Sequence, residues 1–558
     1  MRALPPVLLG LWFFMLNNLP VWSGWLQTPA GYAPAMVLRN PDTAQYVTYL
    51  QSATERFLFP AYMMPWKTED AFFSPLWVLI ARPAKWLGLP LLLGYHAVHL
   101  LLYVFAAWAL LYMLDTFLSS RTQKIAFFIA LFCTAPILLV GLGVAPILPI
   151  RPEIFWLGLI QFGYETADGL SRGGSSNSPT LTLATATTLL ALAFLGRRIA
   201  TGEKRYTWFL AATTFFSACF HPFEVFLIAP ASVITLLFAA WKREGWATAW
   251  RECAAVAAAA GAGIAPYAYQ ASRSLMIREM PALFTWSPSS LVWVVALYGM
   301  TSILVVYFLL MRFRVHAPAD SALLIWPLCN VTIVFLPFIP FALHLFNGFA
   351  YVISVLLVRI LFQGPPLQKL WNKRPRLALG FTGAWCALCL LGYTAYYRQI
   401  FRDGHKANPD LLFSTVVSTD ESQMISWMHI HVSADDLVLS PTEQAPWFAT
   451  VPMHSFGSHE HLSFSYTGQA AFAEAFYKAS LPPEKTDQIL NDYGISWVVI
   501  PASSPAGAYF ADRPPAFVAG ALRLYHRPGK SMKPYPGLHA IRPDLASKKT
   551  LGQLLFHE

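Results

Sequence analysis

The sequence predicts an α-helical polytopic membrane protein with a soluble α/β domain at its C-terminal end, and three observations carry this prediction. Hydrophobic residues make up 56% of the 558 residues and charged residues only 12%, against roughly 25% charged in an ordinary soluble domain. Long apolar runs fill the first two-thirds of the chain. Aromatic residues reach 15%, which suits a protein with two membrane interfaces, where amphipathic rings settle.

Apolar runs long enough to cross a hydrocarbon core of roughly 30 Å occur about eleven times along the chain. We expect the first run to be an uncleaved helix rather than a signal peptide, because it is long and rich in Trp. The runs are residues 5–22, 91–118, 125–148, 179–195, 206–220, 223–241, 253–271, 291–311, 322–345, 350–362 and 377–397.

The loops between these runs predict the topology. Arg and Lys cluster in alternate short loops, which the positive-inside rule places in the cytoplasm. With Arg2 inside, residues 23–90 lie outside, and an odd number of spans puts the C-terminal domain outside as well, in the periplasm of a bacterial inner membrane. The net charge of +10 therefore reflects membrane topology and does not indicate nucleic acid. The clustered residues are Arg121, Lys124, Arg197, Arg198, Lys204, Arg205, Lys242, Arg243, Arg251, Arg312, Arg314, Lys369, Lys373, Arg374 and Arg376.

We expect two domains, a transmembrane domain at residues 1–399 and a soluble periplasmic α/β domain at residues 400–558. The long outer loop, residues 23–90, belongs to the first domain. The six cysteines all lie in or beside apolar runs, so the soluble domain has no disulfide framework. Periodicity predicts outer-loop helices at 42–57 and, lying in the interface, at 71–87; in the soluble domain it predicts helices at 420–430, 470–479 and 484–493, and strands at 437–440 and 497–501.

Asp42, in the run Asn40-Pro41-Asp42, is the first candidate for chemistry. A carboxylate at the start of a helix often caps the orphan amides of the first turn, and that interpretation stays open. The position favours a second interpretation, because Asp42 follows the first span on the outer side. Glu69 and Asp70 lie on the same loop, where a general base would meet a lipid-borne substrate.

The turn from His221 to Glu224 joins two apolar runs on the predicted outer side. Ionisable side chains at membrane depth are costly and by default indicate function. The alternative is that His221 ends one helix while Pro222 starts the next. Both interpretations place these side chains near the outer interface.

Basic residues on the predicted outer loops are further candidates, since the positive-inside rule disfavours them there. A Lys or Arg side chain is suited to bind a lipid phosphate. The alternative is that most of these basic residues individually contact lipid headgroups. Arg56 and Lys67 are favoured by their nearness to Asp42, and Arg278 by its neighbour Glu279. The whole set is Arg39, Arg56, Lys67, Arg151, Arg172, Arg273 and Arg278.

His454, His459, Glu460 and His461 form the densest group of metal-ligating residue types. Their spacing fits no common zinc pattern, because ligands on adjacent residues rarely converge. We expect these residues to line the rim of a substrate site without a cofactor, with a divalent metal as the alternative.

The predicted layout combines one N-terminal span, a long outer loop with an early Asp followed by Tyr, interfacial helices, many further spans and an outer soluble domain. Its motifs are Asp42-x-x-x-Tyr46-x-x-Tyr49-Leu50, Trp66-Lys67-Thr68-Glu69, His221-Pro222-Phe223-Glu224, Gly457-Ser458-His459 and Leu490-x-x-Tyr493-Gly494-Ile495. Layout and motifs together resemble the GT-C class of membrane glycosyltransferases over most of the chain. The resemblance implies that the sugar donor is carried on polyprenyl phosphate within the membrane lipid. It also implies that the early Asp acts as a base or orients the acceptor.

The sequence departs from this pattern in the span after the first loop. The resemblance implies a basic residue there, and this chain has His96 and His99 instead. We expect this pair to serve the donor phosphate. The predicted catalytic residues are Asp42 and Glu69, and the predicted substrate-binding residues are Tyr46, Arg56, Lys67, His96, His99, His221, Glu224, Arg278 and His459. Two alternatives remain open: a lipid-linked glycan transporter or flippase with a proton pair at His221 and Glu224, and a non-catalytic membrane assembly subunit.

Overall fold

The computed structural model of the protein describes residues 4–18, 28, 30–34, 41–59, 62, 64–67, 72–134, 178–243, 245–279, 305, 318–336, 339, 345–346, 348–363, 416–442, 444–457 and 466–541. The helices of the first domain are α1 (Leu4–Asn17), α2 (Pro41–Ala53), α3 (Pro75–Trp86), α4 (Leu91–Phe117), α5 (Arg121–Thr134), α6 (Pro179–Thr201), α7 (Arg205–Phe220), α8 (Val225–Arg243), α9 (Trp246–Arg273), α10 (Leu275–Glu279), α11 (Asp320–Val334) and α12 (Phe349–Gln363).

Three described helical segments are long and apolar enough to cross a membrane, namely α4, α6 and Pro222–Lys242, which contains most of α8. Shorter apolar helices cover Leu4–Met15, Asp320–Val334 and Phe349–Phe362. The chain is thus a multi-pass membrane protein. The predicted run 377–397, and 291–311 apart from Val305, lie outside the described residues, so the count of eleven spans stays a prediction.

Helix α6 lies at the centre of the bundle. Its residues are almost all buried, and it packs against α4 and α7. Small residues stand where other helix pairs meet: a Cβ on Gly10 of α1 would lie 2.5 Å from the Cα of Val104, and one on Gly263 of α9 would lie 2.5 Å from the Cβ of Ala218. Small residues allow this close approach, which membrane helices need because lipid tails are as apolar as their side chains.

Basic residues of the alternate loops gather at one end of the bundle. The Nε of Arg197, near the end of α6, lies 3.1 Å from the hydroxyl of Thr116 near the end of α4. Its neighbour Arg198 lies 2.7 Å from the carboxylate of Glu252 near the start of α9. Loops that were predicted to share one side therefore do lie together. We call this end, marked by Arg197 and Arg198, the basic end.

The opposite end of the bundle carries the long loop and is called the loop end. Helix α4 runs for 27 residues from the loop to the basic end, a length of roughly 40 Å. The loop is attached to the C-terminal domain, because β1 (Tyr32–Pro34) pairs antiparallel with β4 (Val416–Ser418). The loop and the C-terminal domain consequently lie on the same side of the bundle, as the topology predicted.

The C-terminal domain contains a five-stranded mixed sheet. Its strands are β5 (Leu437–Leu439), β6 (His454–Phe456), β7 (Trp497–Pro501), β8 (Phe517–Ala519) and β9 (Leu522–His526), and the helices are α13 (Thr419–His431), α14 (Ala445–Phe448), α15 (Tyr466–Tyr477), α16 (Pro483–Tyr493) and α17 (Leu538–Ile541). The strand order is β6-β5-β7-β9-β8. Strands β5, β6 and β7 are parallel, while β9 runs antiparallel to both β7 and β8. Buried apolar clusters cover both faces.

Two predicted outer-loop helices differ from the observed ones. The helix predicted at 42–57 begins at Pro41, a residue suited to a first helical position, so Asp42 lies within the first turn. The helix predicted at 71–87 is shortened to α3, because Phe72 and Phe73 form β3, which pairs with β2 (Leu58–Phe59). The described part of the loop therefore contains β1, α2, the antiparallel strand pair β2 and β3, and α3.

Candidate functional site

Three aromatic rings from three helices form a stack at the loop end. Tyr46 of α2 stacks on Trp77 of α3 with ring centroids 4.9 Å apart, and Trp77 lies parallel to Tyr95 of α4 at 6.1 Å. Such aromatic pairs contribute about 0.5–1.5 kcal/mol each beyond burial. The stack fixes α2 on the bundle, and positions 42 and 46 share one face of that helix. The side chain of Asp42 lies outside the described residues.

The C-terminal end of α2 is also held in place. The Nε of Arg82 in α3 lies 3.4 Å from the carbonyl oxygen of Ala53, where a cation interacts favourably with the helix dipole. The same guanidinium lies 3.7 Å from the centre of the Phe57 ring. Arg82 thus joins α2 to α3, and both helices act as one support for the candidate site.

His221 and Glu224 form a buried pair between α7 and α8. His221 ends α7 by donating its backbone N–H to the carbonyl oxygen of Ser217, and Pro222 opens the 3₁₀ turn Pro222–Glu224. The predicted structural role is therefore present. In addition, Nδ1 of His221 lies 2.5 Å from Oε2 of Glu224, and the two side chains are 11% and 1% exposed. A buried carboxylate is thus held by a titratable partner, an arrangement suited to proton transfer.

The His221/Glu224 pair is connected to the aromatic stack through the neighbouring Phe220. Phe220, which precedes His221, packs against the buried cluster that contains Trp77 and Tyr95 and that Tyr46 also contacts. The structure therefore brings the predicted residues Tyr46, His221 and Glu224 into one neighbourhood at the loop end. We call the set Tyr46, Trp77, Tyr95, His221 and Glu224 the outer site. Trp77 was not a sequence candidate, because its position in an apolar run gave no sign of the stack.

The predicted histidine pair of α4 divides into two environments. His99 is fully buried, and its Nε2 lies 3.1 Å from the hydroxyl of Thr182 in α6. Its Nδ1 is buried with no hydrogen-bond partner among the described atoms. His96 is only partly buried and packs edge-on against Tyr95. His99 therefore faces the bundle interior, whereas His96 lies beside Tyr95 of the aromatic stack, and the predicted role of the pair at the donor phosphate stays a prediction.

The three favoured basic residues also separate. Arg56 is exposed just beyond α2. Lys67 points to the C-terminal domain, where its Nζ lies 3.1 Å from the carboxylate of Asp435. Arg278 lies in α10, and its neighbour Glu279 accepts a hydrogen bond from the hydroxyl of Tyr535 at 2.9 Å. Sequence reasoning missed Tyr535, because nothing in its local sequence indicates a partner so distant in the chain.

His454 of the predicted metal-ligand group fastens the outer loop to the C-terminal domain. Its Nδ1 lies 2.8 Å from the carbonyl oxygen of Met64, and burial lowers the pKa of His454 to about 4. A neutral imidazole that donates to this carbonyl fits the contact. Within the described ranges, His, Cys, Asp and Glu form no group of three or more that is suited to a metal. The predicted residues Glu69, His459, Glu460 and His461 lie outside those ranges.

Comparison with known proteins gives distant likenesses in fold. No family model matches the chain, and no curated protein matches it. The chain is similar to arabinofuranosyltransferase AftD from Mycobacteria at 13% identity and a TM-score of 0.49, with 92% of this chain and 40% of AftD covered. It is also similar to oligosaccharyltransferase AglB from Archaeoglobus fulgidus, solved with an inhibitory peptide and a dolichol-phosphate, at 15% identity and a TM-score of 0.42, with 90% and 70% covered.

The chain thus spans about two-fifths of the length of AftD. Both solved proteins are GT-C-type membrane glycosyltransferases, the class that the sequence layout resembles. Because both TM-scores lie below 0.5, the function is argued below from the residues of this chain.

Proposed function

We propose that the chain is a glycosyltransferase that moves a sugar from a polyprenyl-phosphate carrier to an acceptor outside the cytoplasm. One observation carries the proposal: α2, with Asp42 in its first turn, is held by the aromatic stack beside the buried His221/Glu224 pair. A buried histidine–carboxylate pair beside a helix with an Asp in its first turn suits acid–base chemistry.

The reaction is a single displacement at the sugar carbon. Asp42 takes the proton of the acceptor hydroxyl or orients it, and the acceptor oxygen attacks the carbon bonded to the carrier phosphate. The bond from that carbon to the phosphate oxygen breaks, and polyprenyl phosphate leaves with the electron pair, which inverts the configuration. Arg56, which is exposed just beyond α2, is the proposed source of positive charge for the departing phosphate, with Glu69 as a second carboxylate.

The surface of α3 supports a lipid-borne donor. Its exposed apolar residues, Leu79 at 58% and Trp86 at 86%, are followed by Leu87 at 60%. A helix that buries one face on the bundle and exposes large apolar residues on another is suited to lie in a membrane interface. A polyprenyl chain in the membrane would then approach the outer site along α3.

The proposal places the C-terminal domain in the periplasm, and cysteine labelling tests that placement. Ser503→Cys changes an exposed residue of this domain, whereas Thr201→Cys changes an exposed residue at the basic end. A membrane-impermeant maleimide added to intact spheroplasts should label the first variant and not the second. The reverse pattern would contradict the topology. Ser440→Cys serves as a buried control, because Ser440 is 1% exposed.

The activity itself is tested with the full chain in proteoliposomes. Synthetic polyprenyl-phosphate glycosides of several sugars, supplied with membrane extracts as acceptor, should release polyprenyl phosphate and transfer the label in an Asp42-dependent manner. Every donor recovered intact would contradict the proposal. A donor that crosses the bilayer intact would instead favour a transporter, for which the buried His221/Glu224 pair would carry the proton.

A further inference from the structure

The segment after β9 is attached to two separate parts of the loop end. The backbone N–H of Lys67 donates to the carbonyl oxygen of Lys533 at 2.7 Å, and that of Tyr535 donates to the carbonyl oxygen of Lys67 at 3.2 Å. The hydroxyl of Tyr535 donates to Oε2 of Glu279 in α10 at 2.9 Å. Tyr535 therefore contacts the long outer loop with its backbone and the connection after α9 with its side chain.

The same segment is firmly seated on the C-terminal domain. Gly494, the residue after α16, has φ of +72°, and a Cβ there would lie 1.9 Å from the carbonyl oxygen of Ser531. A glycine at this position permits both the left-handed conformation and the close approach. The ring of Trp66 lies 5.7 Å from that of Tyr493 and 5.9 Å from that of Tyr535. The loop is thus inserted between α16 and the segment.

The bond from Tyr535 to Glu279 is suited to a permanent link. Burial, together with the neighbouring Glu279 carboxylate, raises the pKa of Tyr535. The phenol therefore remains a donor at physiological pH. A hydrogen bond to a carboxylate is roughly twice as strong as one between neutral groups. The link also joins positions that are 256 residues apart in the chain.

We propose that Tyr535 is a positioning residue that aligns the two connections flanking the outer site, an inference that rests on the proposed function. One connection is the loop at Lys67, which leads from α2 towards α3. The other is α10, which follows α9, and α9 packs on α7, the helix that ends at His221. When the C-terminal domain is docked, both connections are held from one residue. Loss of the link leaves each element folded but releases their relative position.

The test compares Tyr535→Phe with Tyr509→Phe in the full chain in nanodiscs. Both substitutions remove a tyrosine hydroxyl of the C-terminal domain that donates to a carboxylate, Glu279 in the first case and Asp487 in the second. Hydrogen exchange is followed in peptides that cover residues 62–67 and 531–537. Tyr535→Phe should accelerate exchange there by about tenfold, the scale of one hydrogen bond to a charged group, and Tyr509→Phe should not. Unchanged exchange in Tyr535→Phe would overturn the proposal.

Turnover supplies the second measurement. Tyr535→Phe should lower kcat by about tenfold with KM unchanged, because misalignment raises the barrier without removing a substrate contact. Glu279→Ala should lower kcat to the same extent. The double variant should be no slower than either single variant, because all three lose the same Tyr535–Glu279 hydrogen bond. Additive losses, or accelerated exchange with full kcat, would overturn the proposal. A wild-type chain that transfers no sugar would refute the proposed function, while the exchange result would still decide whether the link exists.

Discussion

The two ends of the helix bundle hold their carboxylates in different ways. At the basic end, Glu252 is paired with Arg198 at 2.7 Å, so permanent positive charge neutralises it. At the loop end, Glu224 is bonded to His221, and Glu279 accepts a hydrogen bond from Tyr535. An arginine pair stabilises a charge in place and the tyrosine is a fixed donor, whereas histidine is the residue type suited to proton exchange near neutral pH. The comparison therefore separates an end held by permanent charge from the end at which we propose the chemistry.

The largest effect is expected for a buried arginine pair between α11 and α12. Arg359 of α12 makes bidentate contacts with Asp320 of α11, whose side chain is 2% exposed. Arg359→Met leaves that carboxylate buried without its partner, which should cost about 3–5 kcal/mol of unfolding free energy. Denaturant unfolding in detergent measures the loss. The double variant Arg359→Met with Asp320→Leu should recover most of it, and equal losses in both would contradict a charge-pairing role.

A matched pair of amide substitutions tests the difference between the ends. Glu252→Gln removes the charge opposite Arg198 and should cost about 2 kcal/mol of stability, with transfer per folded molecule unchanged. Glu224→Gln keeps an acceptor for His221, so stability should change by less than about 1 kcal/mol, while transfer falls by about tenfold or more. Thermal unfolding and the transfer assay are measured on both variants. The opposite ranking would remove the distinction between the two ends.

A smaller, pH-dependent effect is expected where the loop meets the C-terminal domain. Burial lowers the pKa of His454 to about 4, below its ordinary value of 6.5. The unfolded chain therefore binds the proton more readily, and the contribution of His454 is complete above pH 6.5 and is lost towards pH 4. Unfolding free energy should drop by about 1 kcal/mol between about pH 7.5 and about pH 5.5. His454→Gln can still donate to Met64, but its unfolding free energy should no longer show this drop with pH. A pH profile that is the same in the variant and the wild type would contradict the role of His454.

The sequence predicted the elements with strong local patterns. The predicted run 91–118 and strand 497–501 agree with α4 and β7 because continuous apolar residues specify a span or a buried strand. The ends of α2 and α3 were less predictable, since they depend on Arg82 and on the pairing of β2 with β3.

The candidate site was predictable residue by residue only in part. His221 and Glu224 stand three positions apart, so their pairing is local. Ionisable residues in an apolar run are also a direct indication of function. The burial of His99 depends on which face of α4 meets α6. The hydrogen bond from Tyr535 to Glu279 depends on how the C-terminal domain docks on the helix bundle. Such long-range contacts follow from packing that periodicity alone does not encode.

Two substitutions of Asp42 test the central claim that the loop end performs chemistry. Because α2 begins at Pro41, Asp42→Asn removes only a first-turn charge worth about 0.3–1 kcal/mol of stability, yet it abolishes proton acceptance. Transfer should fall by roughly 10² or more while the melting temperature hardly changes, and Asp42→Ala should be no less impaired in transfer. If Asp42 is purely structural, transfer will instead follow stability in both variants. Full glycosyl transfer by Asp42→Asn would contradict the catalytic assignment.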